Sequence, residues 1–252
     1  MGTALVTGAT SGLGREYAEQ LAAHGHDLVL VARDEERLRR TAADLEHGFG
    51  GSAEVLAADL SDAAQRSVVE LRLADRSRPV DLLVNNAGFS THQRFVGGDL
   101  ELEQRALDVM VTSVMRLSHA ALGGMVERGY GAVVNVSSVS AWVPSGTYSA
   151  AKAYLVSFTE GVAAEVRDSG VRVMVVCPGF THTEFHERAA IDLSRLPERM
   201  WLDAEQVVRE SLRDLERGKV VSIPSATYKA VSVLARHAPT GLMTRGYRRV
   251  RR

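Results

Sequence analysis

Tyr148 and Lys152 stand four residues apart in the run Thr147-Tyr148-Ser149-Ala150-Ala151-Lys152. On a helix this spacing puts both side chains on one face. An ammonium beside a phenol favours the phenolate and is expected to lower the phenol pKa from its usual value of about 10. A tyrosine tuned in this way can exchange a proton with a hydroxyl or carbonyl oxygen near neutral pH. The strand-like run before it ends Ser137-Ser138-Val139-Ser140. A serine hydroxyl there could hold the same oxygen. Ser138 is the first choice, with Ser137 and Ser140 as rivals in a crowded turn. Tyr-x-x-x-Lys alone is common on helix surfaces, so its weight comes from the elements around it.

Those elements begin at the N-terminus. Thr3 to Val6 suits a buried strand, Gly8, Gly12 and Gly14 follow in the pattern GxxxGxG, and Glu16 to Ala22 reads as a helix. Strand, glycine turn and helix make a phosphate-binding corner: backbone comes close to a pyrophosphate, and free helix N–H groups point at it. A strand over Asp27 to Ala32 completes a βαβ unit. It ends Val31-Ala32-Arg33-Asp34. Ala32 leaves no acid for a free ribose 2′-hydroxyl, and Arg33 offers a fork of donors to a phosphate. The reading is therefore NADP(H), with NAD(H) the weaker alternative. Ser11 can add a phosphate contact, and Asp59 can receive the adenine amino group. Asn86-Ala87-Gly88 forms a turn where a base, a ribose or a neighbouring strand comes close.

Strand-like runs alternate with helical ones throughout. Further strands are expected at Glu54–Ala58, Asp81–Val84, Ala132–Val136, Val171–Val176 and Val220–Ile223. Helices are expected at Asp34–Leu45, Asp62–Ala74, Thr147–Ser169 and Ala204–Arg217. Leu100 to Arg128 holds two helical segments, or one long helix and a shorter one. The strands are apolar without clean alternation, as strands covered on both faces should be. The fold class is α/β: a doubly wound Rossmann fold with a seven-stranded parallel sheet and helices on both faces. One domain is expected over residues 1–252, with 180–203 as a lid and 224–252 as a C-terminal extension.

Composition narrows the partners. The 252 residues carry 30 basic and 31 acidic side chains, a net charge of −1. This balance gives no sign of a nucleic-acid partner. Arg245 to Arg252 hold five arginines, read as a solvated tail. The single cysteine, Cys177, excludes an intramolecular disulfide and a cysteine-cluster metal site. His182 and His186 are four apart but lack a third ligand, so no metal is expected. No secretory segment and no transmembrane run of 18 apolar residues is expected, which makes the cytoplasm the default location.

Taken together, the motifs resemble the classical short-chain dehydrogenase/reductase superfamily over about residues 3–185. They are Thr7-Gly8-Ala9-Thr10-Ser11-Gly12-Leu13-Gly14, Asn85-Asn86-Ala87-Gly88, Tyr148-Ser149-Ala150-Ala151-Lys152 and Pro178-Gly179. The resemblance implies that Tyr148 is the acid/base, that Ser138 positions the substrate oxygen, and that Lys152 also binds the nicotinamide ribose. It implies cofactor contacts at Gly8, Ser11, Gly12, Leu13, Gly14, Arg33, Asp59, Leu60, Asn86, Ala87, Gly88, Tyr148, Lys152, Pro178, Gly179, Thr181 and Thr183. Members of the family are commonly dimers or tetramers, so a homodimer or homotetramer is expected.

Two departures stand out. Met110 takes the place of the family's usual asparagine, which helps to hold a water linking the lysine to bulk solvent. A thioether is a poor acceptor, so the relay uses a backbone carbonyl or Ser113, or turnover is slow. The interval from Ser138 to Tyr148 is ten residues, whereas the family more often leaves about thirteen. The short loop opens the pocket or changes which serine points inward. The expected activity is oxidoreduction of a small-molecule carbonyl or alcohol, with Trp142, Val143, Phe180, Phe185 and Trp201 as apolar walls and His92, Arg94 and His182 as a polar rim. The alternative is an NADP(H)-binding regulatory or scaffold protein with little turnover. A sugar-nucleotide epimerase and a methyltransferase fit less well.

Overall fold

The computed structural model describes residues 2–184 and 197–237. Phe185, His186, part of the expected lid and the arginine-rich run from Arg245 lie outside the described residues. Seven parallel strands form one sheet: β1 (Thr3–Thr7), β2 (Asp27–Ala32), β3 (Ala53–Ala57), β4 (Leu82–Asn85), β5 (Gly131–Val136), β6 (Val171–Val176) and β7 (Val221–Ser222). Their order is β3-β2-β1-β4-β5-β6-β7. The order in which successive strands are added reverses between β1 and β4, where such folds open a crevice at the carboxyl ends of the strands.

Side chains alternate along each strand, and here both sets are apolar. Ala4, Val6, Leu28, Leu30, Val84, Val134 and Met174 face α1 (Gly12–Ala23), α2 (Glu35–Phe49) and α7 (Ala204–Glu216). Leu5, Val29, Val31, Leu83, Val133 and Val173 face α3 (Ala63–Ala74), α5 (Ser113–Arg128) and the end of α6 (Thr147–Glu165). This double covering is why the strands read as unbroken apolar runs.

Element ends differ from expectation by local capping. α2 continues to Phe49, past the expected Leu45, and stops at Gly50 with φ 76°. α6 ends at Glu165 rather than Ser169. α4 (Leu100–Leu107) runs into a π-helical turn, Asp108–Thr112, and on into α5 without a break. The 29 residues Leu100–Arg128 are thus long and apolar enough to cross a membrane by length and composition, which corrects the expectation that no run is. The run packs as a core helix, with Leu117, Ala121 and Met125 buried against the sheet.

Two buried asparagines join the central strands. Asn85 Nδ2 donates to Asn135 Oδ1 over 2.9 Å and to Ser118 Oγ over 3.1 Å, and Asn135 Nδ2 donates to Thr159 Oγ1 over 2.9 Å. β4 and β5 are paired so that these asparagines lie side by side.

Candidate active site

The glycine turn is held by Thr7 and Asn86. Thr7 Oγ1 accepts the N–H groups of Asn86 and Ala87 at 2.9 and 3.0 Å. Asn86 Nδ2 donates to the carbonyls of Thr7 and Gly8 at 3.0 and 3.4 Å. Asn86 therefore serves the turn itself. A Cβ on Gly14 would sit 2.2 Å from the Gly8 carbonyl oxygen, so the turn closes this tightly only with glycine there. Ser11 is the N-cap of α1 and its side chain makes no cap bond. Leu13 packs on the core beneath the turn.

A cleft of about 690 Å³ adjoins this turn, lined by Thr10, Ser11, Gly12, Arg15, Arg37 and Glu184, among others. Arg33 lies exposed at the end of β2. Asp59 accepts the N–H and hydroxyl of Ser61 at 2.9 and 2.7 Å. Burial pushes its carboxyl up, but these bonds and the charges of Arg33 and Arg105 hold it below the usual range. Leu60 is 4% exposed, its side chain is core, and its carbonyl accepts from Arg66 Nη1 at 3.0 Å.

β5 ends at the serines, and the structure separates their tasks. Ser137 Oγ donates to the Lys152 carbonyl at 2.7 Å and is buried. Ser138 caps the turn Val139–Trp142, accepting from the Ser140 N–H at 3.1 Å and donating to the Ser140 hydroxyl at 3.2 Å, and it lies close enough to the Tyr148 hydroxyl to favour its ionised form. The ten-residue interval thus leaves Ser138 facing the tyrosine.

The tyrosine pKa moves opposite to expectation. Burial pushes the Tyr148 phenol up to about 12, with the Ser138 hydroxyl pulling the other way. Lys152 does not reverse this. Its ammonium is buried and donates to the Val136 carbonyl at 2.8 Å, with the Tyr148 ring centre 5.5 Å away. Burial pulls Lys152 itself down to about 8, against a small opposing effect from Cys177.

Met110 completes this corner. Its side chain is 1% exposed and packs with Ala106, Ala151, Phe89 and Tyr148. A Cβ on Gly88 would lie 3.4 Å from its sulfur and 3.6 Å from Lys152 Nζ. Ser113 Oγ is turned onto the Val109 carbonyl at 2.5 Å. Of the two substitutes expected for the missing asparagine, the lysine meets a backbone carbonyl and the serine is occupied elsewhere.

The far wall follows β6. Thr181, 4% exposed, bridges to Leu202, and its hydroxyl donates to the Gly179 carbonyl at 3.1 Å. Thr183 lies over the glycine turn, 3.2 Å from where a Gly12 Cβ would be. Pro178 O accepts from the Val139 N–H at 3.0 Å, tying this segment to the serine turn. Trp201 stacks on His182 at 4.5 Å and meets Phe180 at 6.0 Å. Trp142 packs partly on core residues Val156, Val175 and Cys177.

The sequence marks Tyr228–Ala235 as a short amphipathic segment that closes the pocket or makes an oligomer contact, but it gives no role to the Tyr228 side chain on α8 (Ala226–His237). Its ring fills the space a Gly179 Cβ would need, 2.1 Å away, while its hydroxyl donates to Met200 O at 2.8 Å and accepts the Phe180 N–H at 3.2 Å. Sequence reasoning missed the bidentate pair of Arg37 and Glu184, at 2.6 and 3.2 Å. Among the described residues no group of three or more potential metal ligands is found.

A profile of the short chain dehydrogenase family matches residues 2–193. The chain belongs to that family. This short-chain dehydrogenase is 38% identical over 189 residues to a putative ketoacyl reductase of Streptomyces coelicolor, covering 71% of this chain and 70% of the relative. It is 38% identical over 175 residues to a very-long-chain 3-oxoacyl-CoA reductase of Laccaria bicolor, covering 68% of this chain but spanning only 52% of that relative's length. Among solved structures, a short-chain dehydrogenase from Sphingobium yanoikuyae in complex with NADPH superposes with a TM-score of 0.87 at 38% identity, covering 97% of this chain and 96% of that one. The fold and the family expected from the motifs are thereby borne out.

Proposed function

We propose that this short-chain dehydrogenase is an NADP(H)-dependent reductase that converts an apolar ketone or aldehyde to the alcohol, or the reverse. The observation that carries the reading is the Ser138 hydroxyl close to that of Tyr148, beside the buried Lys152. The tight glycine turn, the cleft beside it and the arginines at its rim fit a dinucleotide phosphate. Arg33, with no acid at Ala32, supports NADP(H), as does the NADPH held by the Sphingobium relative.

NADPH, when bound, supplies a hydride to the carbonyl carbon. The Ser138 and Tyr148 hydroxyls hold the carbonyl oxygen and stabilise the charge that grows on it. Tyr148 keeps its proton at neutral pH because burial holds its pKa near 12. An alkoxide is a stronger base than a phenolate, so the proton moves from Tyr148 to the product oxygen. Lys152 then faces a phenolate, and its positive charge stabilises it. Phe180 and Trp201 favour an apolar substrate, and the oxoacyl compounds named for the two relatives agree with a keto group on an acyl chain.

The test is to titrate purified protein with NADPH and NADH, then follow cofactor oxidation on a panel of apolar ketones and aldehydes with Tyr148→Phe alongside. The expected result is tighter NADPH binding and turnover that falls by two or more orders of magnitude in the variant. A preference for NADH overturns the role of Arg33. Tight NADPH binding without turnover moves the reading to a regulatory or scaffold protein, which Met110 at the usual asparagine position favours.

A further inference from the structure

Glu103 is a carboxylate on α4, 5% exposed, and no step of the proposed reaction uses it. It gathers donors from separate pieces of chain. The Thr91 hydroxyl donates to its Oε1 at 2.8 Å and the Gln93 amide at 2.9 Å. Both belong to the loop leaving the Asn86-Ala87-Gly88 turn. The hydroxyl of Thr147, the first residue of α6, lies near the same carboxylate and favours its charged form, while the buried Oε2 makes no hydrogen bond among the described residues. Burial pushes the Glu103 carboxyl up, yet these donors together hold it below the usual range.

The loop it holds is an unusual one. His92, between the two donors, has φ 50°, the one positive value at a non-glycine residue among those described. Such a backbone persists where its surroundings over-determine it. Gln93 adds a second closure, exchanging two bonds of 2.8 Å with the Asp99 backbone. The face of α4 that carries Glu103 continues to Ala106 and Met110, which pack with Phe89 and Tyr148. One carboxylate thus holds the loop bordering the site, on the helix face that packs against the tyrosine.

We propose that Glu103 is a positioning residue, setting where the Tyr148 hydroxyl and the 89–93 loop meet the substrate. The proposal rests on the reductase reading above. Its test uses the full chain with Glu103→Ala, Glu103→Gln and Thr147→Val. Glu103→Ala lowers kcat about tenfold or more, because small misplacements near the reacting groups are costly, while NADPH affinity stays within about twofold. Glu103→Gln keeps the acceptor for Thr91 and Gln93 and recovers kcat to within about threefold of wild type. Thr147→Val removes only the neighbouring hydroxyl, lowers kcat about threefold, and stands in if Glu103→Ala fails to fold. Amide hydrogen exchange is measured on the same proteins, and both the alanine and valine variants exchange faster at residues 147–150.

A variant that melts earlier with unchanged kcat makes Glu103 merely structural and overturns the proposal. So does an equal loss of kcat in Glu103→Ala and Glu103→Gln. A wild type without turnover on the ketone panel overturns the reductase reading instead. Exchange then decides the tie between Glu103 and the Tyr148 turn, and unchanged exchange at 147–150 overturns it.

Discussion

Lys152 donates to the Val136 carbonyl at 2.8 Å, while the Tyr148 ring centre stays 5.5 Å from the same ammonium. Burial holds this lysine near pKa 8, against 10.5 when unfolded. Below pH 8 both states are protonated, and the cost of burying the charge is present in full. Between pH 8 and 10.5 the unfolded chain binds the extra proton, so stability rises with pH across that window. The difference of about 2.5 units corresponds to ~3 kcal/mol at most. Tyr148 opposes this only above pH 10, where the unfolded phenol ionises and the folded one, near 12, does not. Urea unfolding from pH 7 to 10 is expected to show the rise in wild type and a flatter line in Lys152→Met.

Neighbouring serines should separate cleanly. On the proposed mechanism Ser138→Ala removes a donor to the substrate oxygen, and it is expected to lower kcat by about 10²-fold or more, with little change in melting temperature. Ser137→Ala leaves the Lys152 carbonyl without the hydroxyl that now bonds it at 2.7 Å. That change costs about 1 kcal/mol of stability and a much smaller part of kcat. Steady-state kinetics and thermal melts on the two proteins distinguish the roles, and reversed outcomes exchange the assignments.

On the proposed NADP(H) reading, the Arg37–Glu184 pair bears on cofactor choice. Glu184 takes up two guanidinium donors beside the cleft at the glycine turn. Its carboxylate competes with any phosphate for that arginine. Glu184→Gln is expected to tighten NADPH a few-fold and leave NADH unchanged, read by fluorescence titration. An equal change for both cofactors would show the pair to be a simple tether between α2 and the segment after β6.

Gly179 and Tyr228 are coupled by volume. A methyl group on residue 179 collides with the Tyr228 ring, and overpacking of this kind costs about 1–3 kcal/mol. Gly179→Ala is expected to lower both melting temperature and NADPH affinity. Adding Tyr228→Ala opens the space, so the double variant should lose less than the two single losses added together. Strict additivity in the melts would argue against the contact.

Much of this was legible in the chain. Strand positions show in unbroken apolar runs such as Val29–Val31, and the tyrosine–lysine spacing needs only a helix to become a face. Other features had no local signal. The pKa of Tyr148 depends on how deeply the corner is buried, which a four-residue spacing cannot report. Asn86 reads as a point where a base, a ribose or a neighbouring strand comes close, and only the strand order, which sets β4 beside β1, shows that it bonds the Thr7 and Gly8 carbonyls. Tyr228, Glu103 and the Arg37–Glu184 pair act across 48, 12 or more than a hundred positions, and only the fold brings their partners near. The choice of Ser138 over Ser137 rests on the local turn at the end of β5, a matter of one residue.

The paired asparagines of β4 and β5 amount to a lock on alignment. Apolar strands covered on both faces have no inside or outside to choose between, and a shift by two residues would keep every valine and leucine in oil. It would not keep Asn85 opposite Asn135. Both amides would then be stranded away from water, a penalty each neighbouring strand pays in full. The bonds that join them therefore discriminate between sheets of nearly equal greasiness, and they do so at the carboxyl ends of β4 and β5, one residue before Asn86 and three before Ser138.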